Sequence, residues 1–296
     1  MTVANIKRGR NVRATAVTAA ALAVAALLAL ALALAGCGAS NAGSGSGGAK
    51  DAAQDSVITV GASPSPHAEI LAAAQPVLKE AGYTLEVREF SDYVLPNVAL
   101  ADGSLDANFY QHQPYLDNYN QENGTDLVGV AVIHFEPMTL YAGKTASLAA
   151  IPDGATIAVP ADATNEARAL LLLEDQGIIK VRAGAGLAAT ANDIVDNPHN
   201  VKIVEVEAAA LPRQLEDTDF AVINGNFALS SGLDAGKALA AESSSSAAAQ
   251  TYGNVVAVAK QNADSDKTKA LIKALQSDTV RDFIQSKYDG AVVALF

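Results

Sequence analysis

The 296-residue sequence has no tryptophan, two methionines and a single cysteine, Cys37. One cysteine excludes a disulfide framework, a thiolate metal site and a spare nucleophilic thiol. Basic side chains are also scarce, 20 Lys and Arg against 32 Asp and Glu. Phosphate backbones and anionic lipid surfaces would be repelled, so no nucleic-acid partner is expected. The short motifs of common hydrolases and nucleotide-binding proteins are missing: there is no Gly-x-Ser-x-Gly elbow, no His-Glu-x-x-His pair and no glycine-rich phosphate loop. No tandem repeat with a period of about 20 to 50 residues is present either.

Apolar residues, in contrast, make up 50% of the chain, enough for a sizeable core. The longest apolar run, residues 14–35, follows a start that carries Lys7, Arg8, Arg10 and Arg13 and no acid. That order of parts is an export signal. The run is also long enough for a membrane-spanning helix, which needs about 20 apolar residues, but its end argues for the signal. Leu34-Ala35-Gly36-Cys37 resembles a bacterial lipobox, where small residues admit the peptidase and the thiol takes a lipid. Residues 1–36 are therefore expected to be a lipoprotein signal peptide and Cys37 the lipidated start of the mature chain. Residues 37–56, rich in Gly, Ser, Ala and Asn, are expected to be a flexible tether. The body would then be held on the extracytoplasmic face of the cell membrane. Without residues 1–36 the chain keeps 16 basic and 32 acidic groups, a formal charge of −16.

Past the tether, residues 57–62 are a β-rich run closed by Ser63-Pro64-Ser65-Pro66, and Ile70, Ala74, Val77, Leu78 and Ala81 then recur at helical spacing. Gly82 ends that helix and residues 83–90 alternate like a strand. Helices over 92–101 and 113–122 alternate with strands over 105–109 and 127–134. A hinge-like stretch at 137–144 precedes a second series: a strand over 156–160, a helix over 165–176 whose Leu170-Leu171-Leu172-Leu173 predicts burial on most sides, a strand over 201–206, a short helix near 211–216 and a strand over 220–224. Residues 243–250 read as an exposed loop, 253–260 as a strand returning to the first series, and 266–276 and 278–287 as amphipathic helices. Such alternation implies α/β layers with a mostly parallel sheet in each series. Two series imply two lobes, one over 57–143 plus 251–296 and the other over 144–250.

Several strings go further. Val60-Gly61-Ala62-Ser63-Pro64-Ser65-Pro66-His67-Ala68-Glu69-Ile70, Phe90-Ser91-Asp92-Tyr93-Val94-Leu95-Pro96-Asn97 and Asp106-Ala107-Asn108-Phe109-Tyr110-Gln111-His112-Gln113-Pro114-Tyr115-Leu116 resemble the methionine-binding lipoproteins of ABC importers, the NlpA lipoprotein family. So do residues 159–170, from Val159-Pro160 to Ala169-Leu170, and Asp193-Ile194-Val195-Asp196-Asn197-Pro198. The resemblance runs from about residue 57 to 296. It implies a two-lobed periplasmic-binding-protein type II fold with the ligand in the cleft between lobes, which agrees with the two series read above. It also implies no enzymatic activity and no cofactor, with the permease and ATPase of an importer as partners.

A free amino acid brings a carboxylate, an ammonium and a side chain, and a buried site must satisfy both charges. Arg168 is the candidate for the carboxylate, because guanidinium grips it at two points; Asn165, three residues earlier, shares its helical face near the helix start, where an anion is favoured. On spacing alone Arg168 is equally a solvated surface arginine. For the ammonium, the resemblance carries binding roles onto Asn224 and Asn254, although Asn224-Gly225 also reads as a turn pair. Gly253 departs from the bulkier residue often found before that second asparagine. Tyr93, Tyr110, His112 and Tyr115 concentrate the scarce aromatics and could wall a thioether pocket, or be ordinary core residues. His67, His134 and His199 show no recognised zinc spacing, and capping or surface roles are expected for them.

Methionine is thus the expected ligand, with D-methionine, a methionine-containing dipeptide or another apolar amino acid as alternatives within the same fold. An exported hydrolase would need a nucleophile with its base, paired carboxylates or a metal, and none of their motifs is present.

Overall fold

The computed structural model describes residues 56–245 and 247–296. The expected signal peptide, Cys37 and residues 38–55 of the tether lie outside the described residues. None of the described helices is long and apolar enough to cross a membrane.

The chain opens with β1 (Val57–Ala62), a tight turn through Pro64–Ala68, α1 (Glu69–Glu80), β2 (Thr84–Glu89), α2 (Leu95–Ala101), β3 (Ala107–His112), α3 (Gln113–Asn123) and β4 (Leu127–Phe135). It then crosses to β5 (Thr139–Ala142), β6 (Thr156–Pro160), α4 (Ala163–Asp175), the short pair β7 (Lys180–Val181) and β8 (Ile194–Asp196), β9 (Lys202–Val206), α5 (Leu211–Gln214), β10 (Phe220–Ile223), α6 (Gly225–Ser230) and β11 (Ala240–Ala241). It returns through α7 (Ala247–Thr251) to β12 (Asn254–Ala259), α8 (Asp266–Leu275), α9 (Asp278–Tyr288) and β13 (Val293–Ala294).

Two sheets result. The first runs β13-β4-β12-β3-β1-β2 and the second β11-β5-β10-β6-β9, giving the two-lobed architecture expected. Neither sheet is mostly parallel throughout, however. β1 is parallel to β2 and β3, but β12 is antiparallel to both β3 and β4, and β5 is antiparallel to β10. The cause is the pair of crossings. β4 leaves the first sheet and β12 re-enters it at the same end, so the two must run in opposite directions. The stretch at 137–144, expected as a hinge, likewise carries β5, which pairs with β10 and β11 in the second sheet. Four residues are too few to display a strand period in sequence.

Strands buried on both faces explain the continuous apolar runs. Along β12, Val256 and Val258 enter the core under α1, α8 and α9, while Val255 and Ala257 pack on the opposite face with Leu100, Leu116 and Leu127. In α4, Leu170, Leu172 and Leu173 are buried and Leu171 is half-buried. Each fully buried leucine contributes about 1.5 to 3 kcal/mol, so this helix is seated firmly against its sheet before any ligand is considered. Gly253 fits its packing: a Cβ there would lie 2.7 Å from Val132 Cγ1 and 2.9 Å from Leu295 Cδ1.

Candidate functional site

The sheets meet at strand ends. His112 closes β3, Asn254 opens β12 beside it, and His134 of β4 lies on the other side of Asn254. Across the gap, β6 ends at Pro160 ahead of Asp162 and α4, and β10 ends at Ile223 ahead of Asn224 and α6. Ligands of open α/β sheets bind beyond such carboxyl ends.

A small cavity of about 20 Å³, little more than the space of one water, lies there. Tyr93, Tyr110, His112, Tyr115 and Asn254 reach it from the first lobe, and Asn165, Arg168 and Asn224 from the second. All eight residues singled out in the sequence thus share one enclosure, and all but Tyr93 and Tyr115 are buried. The arginine expected to be exposed if it were only a surface residue is 4% exposed.

The aromatic wall is organised by one carbonyl. Tyr110 Oη and Tyr115 Oη both donate to Tyr93 O, at 2.9 and 3.0 Å, and the Tyr93 ring packs 4.8 Å from Phe227. Burial raises the pKa of all three phenols, which stay protonated donors. Tyr93 Oη donates to Asn226 Oδ1 across the cleft at 2.5 Å.

An amide network faces this wall. Asp162 caps α4 and accepts from both the backbone and the Nδ2 of Asn165, which fixes the Asn165 amide with its oxygen inward. That oxygen accepts from Asn224 Nδ2 at 2.8 Å and from His112 Nε2 at 3.2 Å. His112 Nδ1 accepts from Tyr115 N, so the ring proton sits on Nε2. Burial, aided by the Arg168 charge, pushes the His112 pKa down to about 3. Asn224 Oδ1 and Asn226 Nδ2 are buried at the chamber and have no hydrogen-bond partner among the described residues.

Arg168 is less open than the sequence suggested. Its Nε and Nη2 already form a fork on Glu242, at 2.8 and 2.5 Å, and Nη2 also donates to Glu136 O at 2.9 Å. The guanidinium lies 4.3 Å from the Tyr252 ring centroid. The two-point face of Nε and Nη2 is therefore already occupied, which leaves Nη1 as the part of the guanidinium not engaged by Glu242 or the Glu136 carbonyl.

The expectation of surface or capping roles fails for two histidines. His67 is 1% exposed and His134 0%, because the turn after β1 and the end of β4 fold under the chamber floor. Their Nε2 atoms lie 3.3 and 2.7 Å from Glu136 Oε1, and His67 Nε2 also reaches Asn254 Oδ1 at 3.0 Å. Each of the three offers a potential metal ligand within 4.8 Å of the others. Hydrogen bonds account for the contacts, His134 to Glu136 at 2.7 Å and His67 to Asn254 at 3.0 Å, and both Nδ1 atoms are buried without a partner among the described residues, whereas a metal-bound imidazole ordinarily has its second nitrogen held. Burial lowers the pKa of His67 to about 4 and of His134 to about 3, so both are neutral; His134 Nε2 donates to the carboxylate and His67 Nε2 to Asn254 Oδ1. Burial raises the pKa of Glu136, opposed by His67, Arg168 and the Asn226 N–H. His199 stands apart, half-buried, its carbonyl accepting from Gly154 N.

Gln111, Glu136, Gly225 and Asn226 complete the chamber and were not anticipated. The string His134-Phe135-Glu136 was visible, but nothing local marks it as buried. Glu242 is 74 residues from its partner and carries no signal of its own.

The family described as NlpA lipoprotein matches residues 58–296. The methionine-binding lipoprotein MetQ of Bacillus subtilis is 42% identical over 242 residues, 80% of this chain and 87% of that protein. The D-methionine-binding lipoprotein MetQ of Escherichia coli is 39% identical over 248 residues, 82% of this chain and 90% of its own length. A nutrient-binding protein from Burkholderia cenocepacia, solved bound to methionine, superposes with a TM-score of 0.77 at 45% identity, covering 81% of this chain and all of its own.

Proposed function

The chain belongs to the NlpA lipoprotein family, and from that premise we propose that it captures methionine between its lobes and delivers it to the permease of an ABC importer. It is a binding protein and not an enzyme. The observation that carries the reading is the convergence between the lobes of a buried arginine, an amide oxygen without a partner among the described residues, and an aromatic wall. In this reading Arg168 holds the carboxylate, and Asn224 and Asn254 accept from the ammonium. Asn165, whose oxygen rather than its amide N–H faces inward, positions Asn224 and His112 instead of touching the carboxylate as expected. Tyr93, Tyr110, His112 and Tyr115 receive the thioether, each aromatic contact contributing roughly 0.3 to 1.5 kcal/mol.

The crossings at 136–138 and 251–253 act as the hinge, and ligand stabilises the closed arrangement. A lipid on Cys37 holds the body to the outer face of the membrane and raises its effective concentration near the permease. D-Methionine is the second reading, favoured by the name of the Escherichia coli relative. Mass spectrometry of the small molecule released when natively purified protein is unfolded tests the proposal. Methionine is the expected species, and a sugar or an inorganic ion as the stoichiometric ligand would overturn it.

A further inference from the structure

We infer that Glu136 is the counter-charge for the ligand's ammonium, so that the chamber selects on the amine more strongly than on the carboxylate; this rests on the amino-acid reading above.

The argument is one of charge balance in a closed space. An ion taken out of water needs an opposite charge and hydrogen bonds, or it is excluded. Arg168 does not supply a whole positive charge to the chamber, since Glu242 faces it at 2.8 and 2.5 Å. Asp162 lies behind Asn165, its carboxylate taken up by the start of α4 through bonds from Asn165 N, Asn165 Nδ2 and Thr164 Oγ1. Glu136 differs from both acids. Its carboxylate accepts from neutral His134 Nε2 at 2.7 Å and from the Asn226 N–H, while His67 Nε2, 3.3 Å away, donates to Asn254 Oδ1, and no lysine or arginine nitrogen among the described residues pairs with it. Arg168 touches the Glu136 carbonyl instead.

Glu136 also lines the cavity. A Cβ at Gly225 would stand 3.0 Å from Glu136 Oε2 and 2.7 Å from Glu136 Cβ, so glycine lets the start of α6 close onto this acid. Asn224, next in the chain, holds its unpartnered oxygen at the same wall. A carboxylate and an amide oxygen flanking a glycine are a receptor for an ammonium, which donates three hydrogen bonds. The summed wall charge is then negative. An α-amine whose carboxylate is masked should be tolerated, while an acid without the amine should not.

The test titrates the full chain in detergent, stripped of bound ligand, with methionine, methionine methyl ester and 4-(methylthio)butanoate. The ester should lose no more than about tenfold against methionine and the deaminated acid about a hundredfold or more. The opposite order overturns the inference, and it can be read on the unmodified protein whether or not a variant folds. Glu136→Gln should weaken methionine and its ester by about tenfold or more and leave the deaminated acid unchanged or tighter. Equal losses for all three ligands would make Glu136 a structural residue and overturn the inference. Absence of binding by methionine and by every other amino acid would instead overturn the amino-acid reading, and this inference with it.

Discussion

Arg168 and Glu242, 74 residues apart in the chain, form a two-point ion pair, Nε to Oε1 at 2.8 Å and Nη2 to Oε2 at 2.5 Å. Both side chains are more than nine-tenths buried, and Glu242 Oε2 is fixed in turn by Met138 N at 2.8 Å. Removing one partner of such a pair leaves the other charged and dry. Glu242→Ala is expected to lower stability by about 3 to 5 kcal/mol and the calorimetric melting temperature by roughly 10 °C. Arg168→Lys keeps the charge but loses the fork, and methionine affinity should fall at least about tenfold. A Glu242→Ala protein that melts like the parent would remove the pair from the account.

Three histidines lie in the protein with depressed pKa values, His67 at about 4 and His112 and His134 at about 3, all chiefly from burial. The unfolded chain binds these protons near pH 6.5. Below that pH the unfolded state takes up protons that the folded state refuses, so stability is full above about pH 6.5 and falls as pH drops toward 4. Each histidine contributes up to about 1.4 kcal/mol per pH unit in that window. The raised pKa of Glu136 acts in the opposite direction and shallows the slope. Melting temperatures measured from pH 7 to pH 4.5 should fall steadily, and less steeply for His134→Gln; a flat profile would contradict the neutral-histidine assignment.

The bond from Tyr93 Oη to Asn226 Oδ1 joins the first lobe to the second at 2.5 Å. Tyr93→Phe keeps the ring against Phe227 and deletes that bond. A net loss of about 0.5 to 1.5 kcal/mol should appear as a faster dissociation rate in stopped-flow measurements, with association nearly unchanged. Slower association with unchanged dissociation would place Tyr93 outside the closed-state contacts.

Much of this architecture was legible because local pattern and global fold agree. The helix expected over 165–176 lies at 163–175 with its leucines buried, and the strand expected over 253–260 is β12, at 254–259. What escaped was short or distant. β5 and β13 have four and two residues, too few to carry a period, and Asn224-Gly225 read as a turn where it begins α6. His67 looked like a surface residue because nothing near it reveals that the end of β4 passes overhead. Glu136 and Glu242 matter through partners brought to them by the crossings between lobes, and no spacing in the sequence encodes those meetings.

The anchoring role proposed for Cys37 is separable from the ligand site. Cys37→Ala should leave the precursor unprocessed or release the protein from the membrane fraction, while the titrated affinity of the body stays unchanged. A loss of affinity together with the anchor would count against that separation.

The most direct measurement is isothermal titration of L-methionine into the full chain after ligand has been removed by unfolding and refolding. The account predicts one saturable site with a dissociation constant roughly micromolar or tighter, weakened at least about a hundredfold by Arg168→Ala, which leaves Glu242 bare beneath the ligand carboxylate. A refolded, cooperatively melting protein that gives no heat with L-methionine, D-methionine or any other amino acid would contradict it.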